Sequence, residues 1–205
     1  MKPSPISDET RGAILEAAWQ LIVTKASIDV SLAEIARRTG VSRQSIYLGF
    51  GNRTGLLIAM ARRADAASPH AARMAQISEG DGNDAATLAD FVDAWLHHLP
   101  EIYPVGVLLS AAAATDQDAA SVFADRMVGG LYAKYLRILT RIEAARRLSP
   151  MWPVTQAADL CWSLTHIDSW KHLVVQRGWF PETFRKNRQA LIRGVFFEHK
   201  PNDQP

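Results

Sequence analysis

The polar segment from Arg43 to Leu48 holds side chains that could bind the edges of nucleic-acid bases. Arg43 and Gln44 are adjacent, and a guanidinium and a carboxamide match the hydrogen-bonding groups of guanine and adenine in a major groove. Tyr47 and Leu48 follow four residues later, which on a helix places all four side chains on one face. An ordinary solvated surface is the alternative, but an aromatic and an aliphatic side chain side by side favour a binding surface.

Two short helices around a glycine turn are predicted to present this face. A capping box at Ser31 marks the start of the first helix, and Gly40 lies where a residue in the left-handed conformation would end it. Ser42 caps the second helix, whose buried stripe consists of Ile46 and Phe50, four residues apart. The pattern therefore predicts a helix-turn-helix that extends from the first of these residues to the last.

Arg53 lies where the next helix is predicted to begin, with Asn52 as its cap and Ala67 near its end. The helix macrodipole disfavours a cation in the first turn. A phosphate docked on the helix N-terminus would reverse this penalty, because the free amides and the guanidinium would both face an anion. Arg53 is therefore either a phosphate ligand or an ordinary solvated arginine.

The composition fits one ordinary core plus a small second domain, because 48% of the 205 residues are hydrophobic. The net charge of +2 conceals a basic excess up to Arg63 and an acidic excess beyond it, as expected of a nucleic-acid reader with a separate second function. Cys161 is the only cysteine, which excludes a disulfide framework within the chain and fits a reducing compartment. Without a bilayer-length apolar run or a hydrophobic signal core, the chain is expected to be soluble and cytoplasmic, with no membrane partner.

The remainder of the chain is predicted to be helical, apart from the polar loop Ser78–Asp84. The predicted helices are Asp8–Lys25, Ala85–Leu99 ended by Pro100, a short helix from Pro104, a long helix capped by Thr115, Asp116 and Asp118 that reaches towards Leu148 with an interruption at Gly129-Gly130, Val154–Gln176, and a last helix from Pro181. The last two helices are apolar on more than one face, which indicates packing against a second protomer as well as their own core.

Aromatic and polar residues of the second domain could line a ligand cavity, although most aromatic residues at helical spacing belong to a core. The candidates are Phe91, Trp95, Tyr103, Phe123, Met127, Trp162, His166 and Trp170. His166 and Asp168 are predicted inside an apolar helix, where each needs a hydrogen-bonding partner. That partner is either a neighbouring core group or a polar group of an effector.

An enzyme is the weaker alternative. Asp93, His97 and His98 could supply half of a metal site, but no second pair follows at ligand spacing. No nucleophile motif, glycine-rich phosphate loop or acid-base pair is recognisable, so we expect no catalytic residue, metal or cofactor. A helical adaptor that does not bind DNA is a further alternative, but it would leave the polar face and Arg53 unexplained.

From about Thr10 to Arg63 the chain resembles the DNA-binding domain of TetR-family transcriptional regulators. The resemblance rests on TRGAILEAAWQLI, SLAEIARRTGVSRQSIYLGF and NRTGLL in that order. It implies an all-α fold, in which a three-helix DNA-binding domain at 8–52, with its helix-turn-helix at 31–50, is joined by a long helix to an effector-binding and dimerisation domain at 53–200.

The resemblance also implies roles for individual residues. Phosphate contacts are expected from Ser31, Ser42, Tyr47 and Arg53, and base-edge contacts from Arg43, Gln44 and Ser45, with Leu48 against a thymine methyl. Three features depart from the family pattern, and the first is the segment Ala26-Ser27-Ile28, which stands where the family has a glycine-aromatic pair. Leu48-Gly49 replace larger groups, and Thr54-Gly55 replace helix-favouring residues, which predicts a softer start of the following helix.

The implied assembly is a homodimer formed by the last two helices. Its two DNA-binding domains would read a palindromic double-stranded operator with half-sites about 34–36 Å apart. An unidentified small-molecule effector would change the affinity for that operator. Repression is the expected outcome, because such a dimer needs no further part to block polymerase, and activation is the alternative.

Overall fold

The structure, a computed structural model, describes residues 6–25 and 31–197. This part of the chain contains no β-strand, which confirms the all-α prediction. The α-helices are α1 Asp8–Lys25, α2 Leu32–Thr39, α3 Arg43–Phe50, α4 Arg53–Ala67, α5 Pro69–Glu79, α6 Ala85–Ala112, α7 Gln117–Ala124, α8 Ala133–Ala144, α9 Val154–Thr165, α10 Ile167–Trp170 and α11 Pro181–Phe196, and two π-helical segments cover Asp125–Tyr132 and Lys171–Gln176. The departure from the family pattern at residues 26–28 and the end of the predicted second domain, residues 198–200, lie outside the described residues.

The chain divides into two compact units. The head unit comprises the described residues up to Ala67 together with Glu101–Phe123, and the body unit comprises Ser68–Pro100 together with the described residues from Ala124 onwards. These units follow packing, so their limits differ from the functional boundary between residues 52 and 53. That functional boundary stays a prediction.

The core of the head unit holds α3 in place. Ile14 of α1, Ile35 of α2, Ile46 of α3 and Met60 of α4 are each at most 1% exposed and belong to one apolar cluster. Leu109 of α6 completes that cluster. Because each helix contributes an apolar stripe to a shared core, the opposite face of α3 is left to solvent.

The prediction that Pro100 ends a helix and Pro104 starts another is wrong, because α6 continues through both. A proline inside a helix lacks the amide hydrogen for one backbone hydrogen bond and crowds the preceding turn, at a cost of about 3 kcal/mol. Burial offsets this cost, since Leu96, Leu99 and Val105 beside the prolines are at most 1% exposed. The division between the body and head units falls directly after Pro100.

Two further helix limits differ from the prediction in the body unit. The long helix ends at Ala144, before Leu148, and its predicted interruption at Gly129-Gly130 lies in the first π-helical segment. The helix predicted at Val154–Gln176 breaks at His166, whose ψ of 153° is extended. The His166 side chain accepts a hydrogen bond from the amide of Asp168 and so caps α10, which ends α9 at Thr165.

Arg141 of α8 organises the predicted loop Ser78–Asp84. Ser78 is part of α5 and is 1% exposed. The Arg141 guanidinium donates to the backbone oxygens of Gly82, Ser78 and Ile77 at 3.0, 2.9 and 3.1 Å. The segment lacks an apolar anchor, as the sequence indicates, but these three hydrogen bonds from one charged donor hold it instead.

Candidate nucleic-acid interface

The two helix caps of the head unit form as predicted. The Ser31 hydroxyl oxygen accepts from the amide of Glu34 at 3.2 Å, and the Ser42 hydroxyl oxygen accepts from the amide of Ser45 at 3.0 Å. Gly40 ends α2 with a φ of 69°, which is the left-handed conformation that glycine adopts without steric cost. The caps use serine oxygens as acceptors, so a capping hydroxyl can still donate its hydrogen to a phosphate.

The outer face of α3 is open to solvent. Arg43 and Gln44 are exposed, and Tyr47 and Leu48 are 52% and 47% exposed. Ser45, predicted to face base edges, is only half-buried, and its hydroxyl lies 2.9 Å from that of Ser42. Five side chains of α3 outside its cap are predicted to contact DNA, and four of them are therefore accessible to a partner as large as a DNA duplex.

Arg53 is the first residue of α4 and is exposed. Asn52 caps this helix, since its side-chain oxygen accepts from the amide of Gly55 at 2.8 Å. The guanidinium and the N-terminal end of α4 thus carry positive charge at the same place, which suits an anion.

Arg11 of α1 supports the C-terminal end of α3. Its Nη1 donates to the backbone oxygen of Gly49 at 2.6 Å, and its guanidinium carbon lies 4.4 Å from the centre of the Phe50 ring. The sequence interpretation missed Arg11, although its spacing from Ile14 puts it in line with the apolar stripe of α1. Gly49 leaves room for Ile6, because a Cβ at this glycine would lie 2.2 Å from the terminal methyl of that isoleucine.

The first turn of α4 is joined to the start of α7 by a buried hydroxyl. Thr54 is 6% exposed, and its Oγ1 donates to Oδ2 of Asp116 at 2.6 Å. The other oxygen of Asp116 accepts from the amide of Ala119 at 3.0 Å, which confirms the predicted cap. The hydrogen bond from Thr54, with smaller help from the Ala119 amide, lowers the pKa of the Asp116 carboxyl. The sequence interpretation did not pair Thr54 with Asp116, because the two residues are 62 positions apart.

Gly55 is fixed by close packing against α3. A Cβ at this position would lie 2.0 Å from the backbone oxygen of Phe50. Thr54 and Gly55, which the sequence interpretation associated with a softer helix start, instead make specific contacts there. The end of α3, the start of α4 and the start of α7 are consequently held together within the head unit.

The eight predicted ligand-binding residues are divided between the two units. Tyr103 and Phe123 belong to the head unit. The other six belong to the body unit and are Phe91, Trp95, Met127, Trp162, His166 and Trp170. Their role in ligand binding stays a prediction.

Several of the six already contact other parts of the body unit. The indole nitrogen of Trp95 donates to the backbone oxygen of Thr165, and that of Trp162 donates to the backbone oxygen of Met127, each at 2.8 Å. The ring of Phe91 meets Tyr135 edge-on with centroids 5.0 Å apart. These contacts give the aromatic side chains defined positions, whether or not a ligand reaches them.

His166 lies at a helix break, as the N-cap of α10, and Asp168 lies in the first turn of that helix. Nδ1 of His166 accepts from the amide of Asp168 at 3.2 Å and lies 3.1 Å from its Oδ2. Burial lowers the pKa of His166, and the Asp168 carboxylate partly offsets this effect. His166 and Asp168, which were each expected to need a polar partner, therefore contact each other.

In the predicted half of a metal site, Nδ1 of His97 lies 3.5 Å from Oδ1 of Asp93, whereas His98 has a different partner. His97 bonds the backbone oxygen of Asp93 at 2.9 Å, and the Asp93 carboxylate accepts from Gln189 at 2.8 Å. His98 is buried and lies 3.0 Å from the hydroxyl of Ser68. Within residues 6–25 and 31–197 no three histidine, cysteine or acidic residues are grouped to hold a metal ion. None of the helices described is both long and apolar enough to cross a membrane.

Comparison with known proteins points to one family. The model of the tetR family of bacterial regulatory proteins matches residues 14–60. The HTH-type transcriptional regulator AlkX of Mycobacterium tuberculosis is 41% identical over 46 residues, a match that covers 22% of each chain.

Solved structures resemble the chain over nearly its whole length. NalD of Pseudomonas aeruginosa, described as the secondary repressor of a multidrug efflux pump, is 23% identical with a TM-score of 0.69, over 94% of this chain and 99% of its own. A regulator from Saccharomonospora viridis, solved with choline, is 17% identical with a TM-score of 0.75, over 94% and 100%. These identities establish a shared fold. The family match covers residues 14–60, so the helix-turn-helix region is similar to the DNA-binding region of tetR-family regulators.

Proposed function

We propose that this chain is a dimeric transcriptional repressor that binds a palindromic DNA operator and loses affinity for it when a small molecule occupies the body unit. TetR-family regulators, whose model matches residues 14–60, are generally ligand-responsive repressors. The family and fold are those of DNA-binding regulators, which disfavours the enzyme and adaptor alternatives. Such a role would place the protein in the cytoplasm.

One observation carries the DNA-binding proposal. The exposed face of α3 combines Arg43, Gln44, Tyr47 and Leu48, whereas its opposite face is anchored by buried core residues. A helix of this kind can enter a major groove and bring hydrogen-bonding side chains to base edges. Arg53 at the start of α4 adds a cation for the flanking phosphate.

The response to an effector can be transmitted through α6. This helix begins in the body unit and ends in the head unit at Ala112. The amide of Asp116 donates to the backbone oxygen of Ala112 at 2.9 Å, and the Asp116 carboxylate accepts from Thr54 in the first turn of α4. A displacement of the end of α6 is thereby passed to the neighbourhood of Arg53. The effector shifts operator binding only by the difference in its affinity for the two arrangements.

Exposed apolar side chains support a dimer formed by the C-terminal helices. Val175, Phe180 and Leu191 are 56%, 79% and 40% exposed. Covering them with the same segment of a second copy would remove apolar surface from water and place two DNA-binding domains on one operator. Sedimentation at micromolar concentration should give twice the mass of one chain, and a monomer would contradict this arrangement.

The decisive experiment is selection of DNA by the protein itself. We expect chromatography with genomic fragments, followed by sequencing of the retained DNA, to enrich a palindrome with half-sites about one helical turn apart. An enzyme or adaptor would enrich no palindrome. Transcription from a promoter that carries the enriched site then separates a repressor from an activator, because added protein should lower the transcript level.

Variants of the interface test the residue assignments on that operator. Arg43→Ala should cost about 1–3 kcal/mol of binding and relax the preference at one base position, whereas Arg53→Ala should weaken all sequences alike and reduce the salt slope by about 1. Arg193→Ala is the matched control, since it removes one exposed arginine from the body unit. A uniform loss with Arg43→Ala would reassign Arg43 to the DNA backbone.

A further inference from the structure

Arg188 is a cation buried within the body unit. Only 8% of it is exposed, and it shares the inner stripe of α11 with Phe184 and Ile192, which are 0% and 3% exposed. Its Nε is fully covered and has no hydrogen-bond partner among the described residues. A buried guanidinium nitrogen without a hydrogen-bond acceptor has lost its hydration, and an aromatic ring does not replace that hydrogen bond, so this nitrogen favours an anion.

The surroundings of Arg188 are aromatic and supply no counter-charge. Its guanidinium carbon lies 4.9 Å from the centre of the Phe184 ring, and Phe184 in turn meets Trp170 edge-on with centroids 5.3 Å apart. Burial lowers the pKa of Arg188, and no carboxylate of the described residues raises it.

The nearby carboxylates are engaged elsewhere. On the same helix, Glu182 pairs with both Arg185 and Lys186. On α6, Asp93 accepts the hydrogen bond of Gln189, the residue that follows Arg188 in the chain. The body unit therefore holds one buried positive charge that these acids do not balance.

We propose that Arg188 binds the carboxylate of an organic acid, and, resting on the proposed function, that this acid is the effector. A planar guanidinium matches a carboxylate with two parallel hydrogen bonds. One positive charge balances a monoanion, whereas a phosphate dianion would leave a buried surplus of negative charge. The rings of Phe184 and Trp170 suit a ligand whose remainder is apolar or aromatic.

An acidic residue of a second protomer is the competing partner. Arg188 is already covered within its own chain, so little of it is accessible to another subunit. A small carboxylate needs less access to the side chain than a second subunit does, so we take a ligand as the partner and keep the intersubunit ion pair as an outcome of the test.

Thermal unfolding of the full-length protein tests the proposal. We would compare the parent with Arg188→Met, and with Arg193→Met as a control that also removes one positive charge from α11 but at an exposed position. Each protein is unfolded in sodium chloride, hexanoate or benzoate at equal ionic strength, and with neutral benzamide. Without carboxylate, Arg188→Met should raise Tm by about 2–8 °C, because methionine fills the site without an unpaired charge.

The carboxylates should raise the Tm of the parent and of Arg193→Met by several degrees and change their tryptophan fluorescence, but should leave Arg188→Met unaffected. Benzamide should have no such effect. A lower Tm for Arg188→Met, a parent that responds to carboxylate no more than to chloride, or dissociation of the dimer by Arg188→Met would overturn the proposal. Operator retention by the unliganded parent is measured separately, so its failure would refute DNA binding and leave the anion site to be judged on these curves.

Discussion

Gly55 and Gly12 provide a test in which the same substitution should have opposite effects. Both glycines lie in helices, α4 and α1. An added Cβ would meet the backbone oxygen of Phe50 at 2.0 Å in the first case, and nothing within 4 Å in the second. Alanine in place of glycine otherwise stabilises a helix by roughly 0.5–1 kcal/mol. We therefore expect Gly12→Ala to increase the free energy of unfolding by about this amount.

The contact at Gly55 outweighs that gain. Carbon atoms in van der Waals contact lie about 3.5–4.0 Å apart, and carbon–oxygen contacts are only slightly shorter. The oxygen of Phe50 belongs to the main chain at the end of α3, so relief requires a shift of one helix against the other. Such overpacking costs about 1–3 kcal/mol, and a separation of 2.0 Å from a main-chain atom belongs at the upper end, which leaves a net destabilisation of about 2 kcal/mol and a fall in Tm of about 4–8 °C.

The shift should also disturb the proposed DNA binding, because it moves Arg53 at the start of α4 relative to the exposed face of α3. We would measure urea unfolding of both variants and their affinity for the selected operator. Gly55→Ala should bind more weakly than the parent at a temperature where both remain folded, and Gly12→Ala should bind as the parent does. Equal or greater stability of Gly55→Ala would refute the reasoning, since it would mean that α3 and α4 are not held at this separation.

Two further predictions concern hydrogen bonds and protonation. Thr54→Val keeps the side-chain shape but removes the donor to Asp116, so the pKa of Asp116 should rise towards its ordinary value and effector-dependent release of the operator should weaken. Thr54→Ser should restore both the pKa and the release. An unchanged release in the valine variant would exclude the proposed route through α6. His166 has a lowered pKa in the folded protein because it is buried, so the unfolded chain binds its proton more tightly. The stability that neutral His166 contributes is present above its ordinary pKa of 6.5 and is lost as the pH falls below it. His166→Gln should therefore flatten the decline in unfolding free energy between about pH 7 and pH 5, and an unaltered decline would assign it to other groups.

Local sequence signals determined α3 and its neighbouring helices. The limits of α1 and the caps at Ser31, Ser42 and Asn52 were predictable, because each depends on residues within one helical turn. The buried and exposed faces of α3 followed from helical spacing, since Ile46 and Phe50 have no alternative to the core.

Tertiary packing decided the features in which partners are distant in sequence. The burial of residues beside Pro100 and Pro104 lets α6 continue where local rules predict a stop. Arg141 holds a loop about 60 residues away, and Thr54 reaches Asp116 across 62 positions. No local pattern encodes such pairings, because their free energy arises only when folding brings the two groups together. The sequence by itself thus determined which residues form the exposed face of α3, and the tertiary structure decided which contacts hold α3 and join its end to α6.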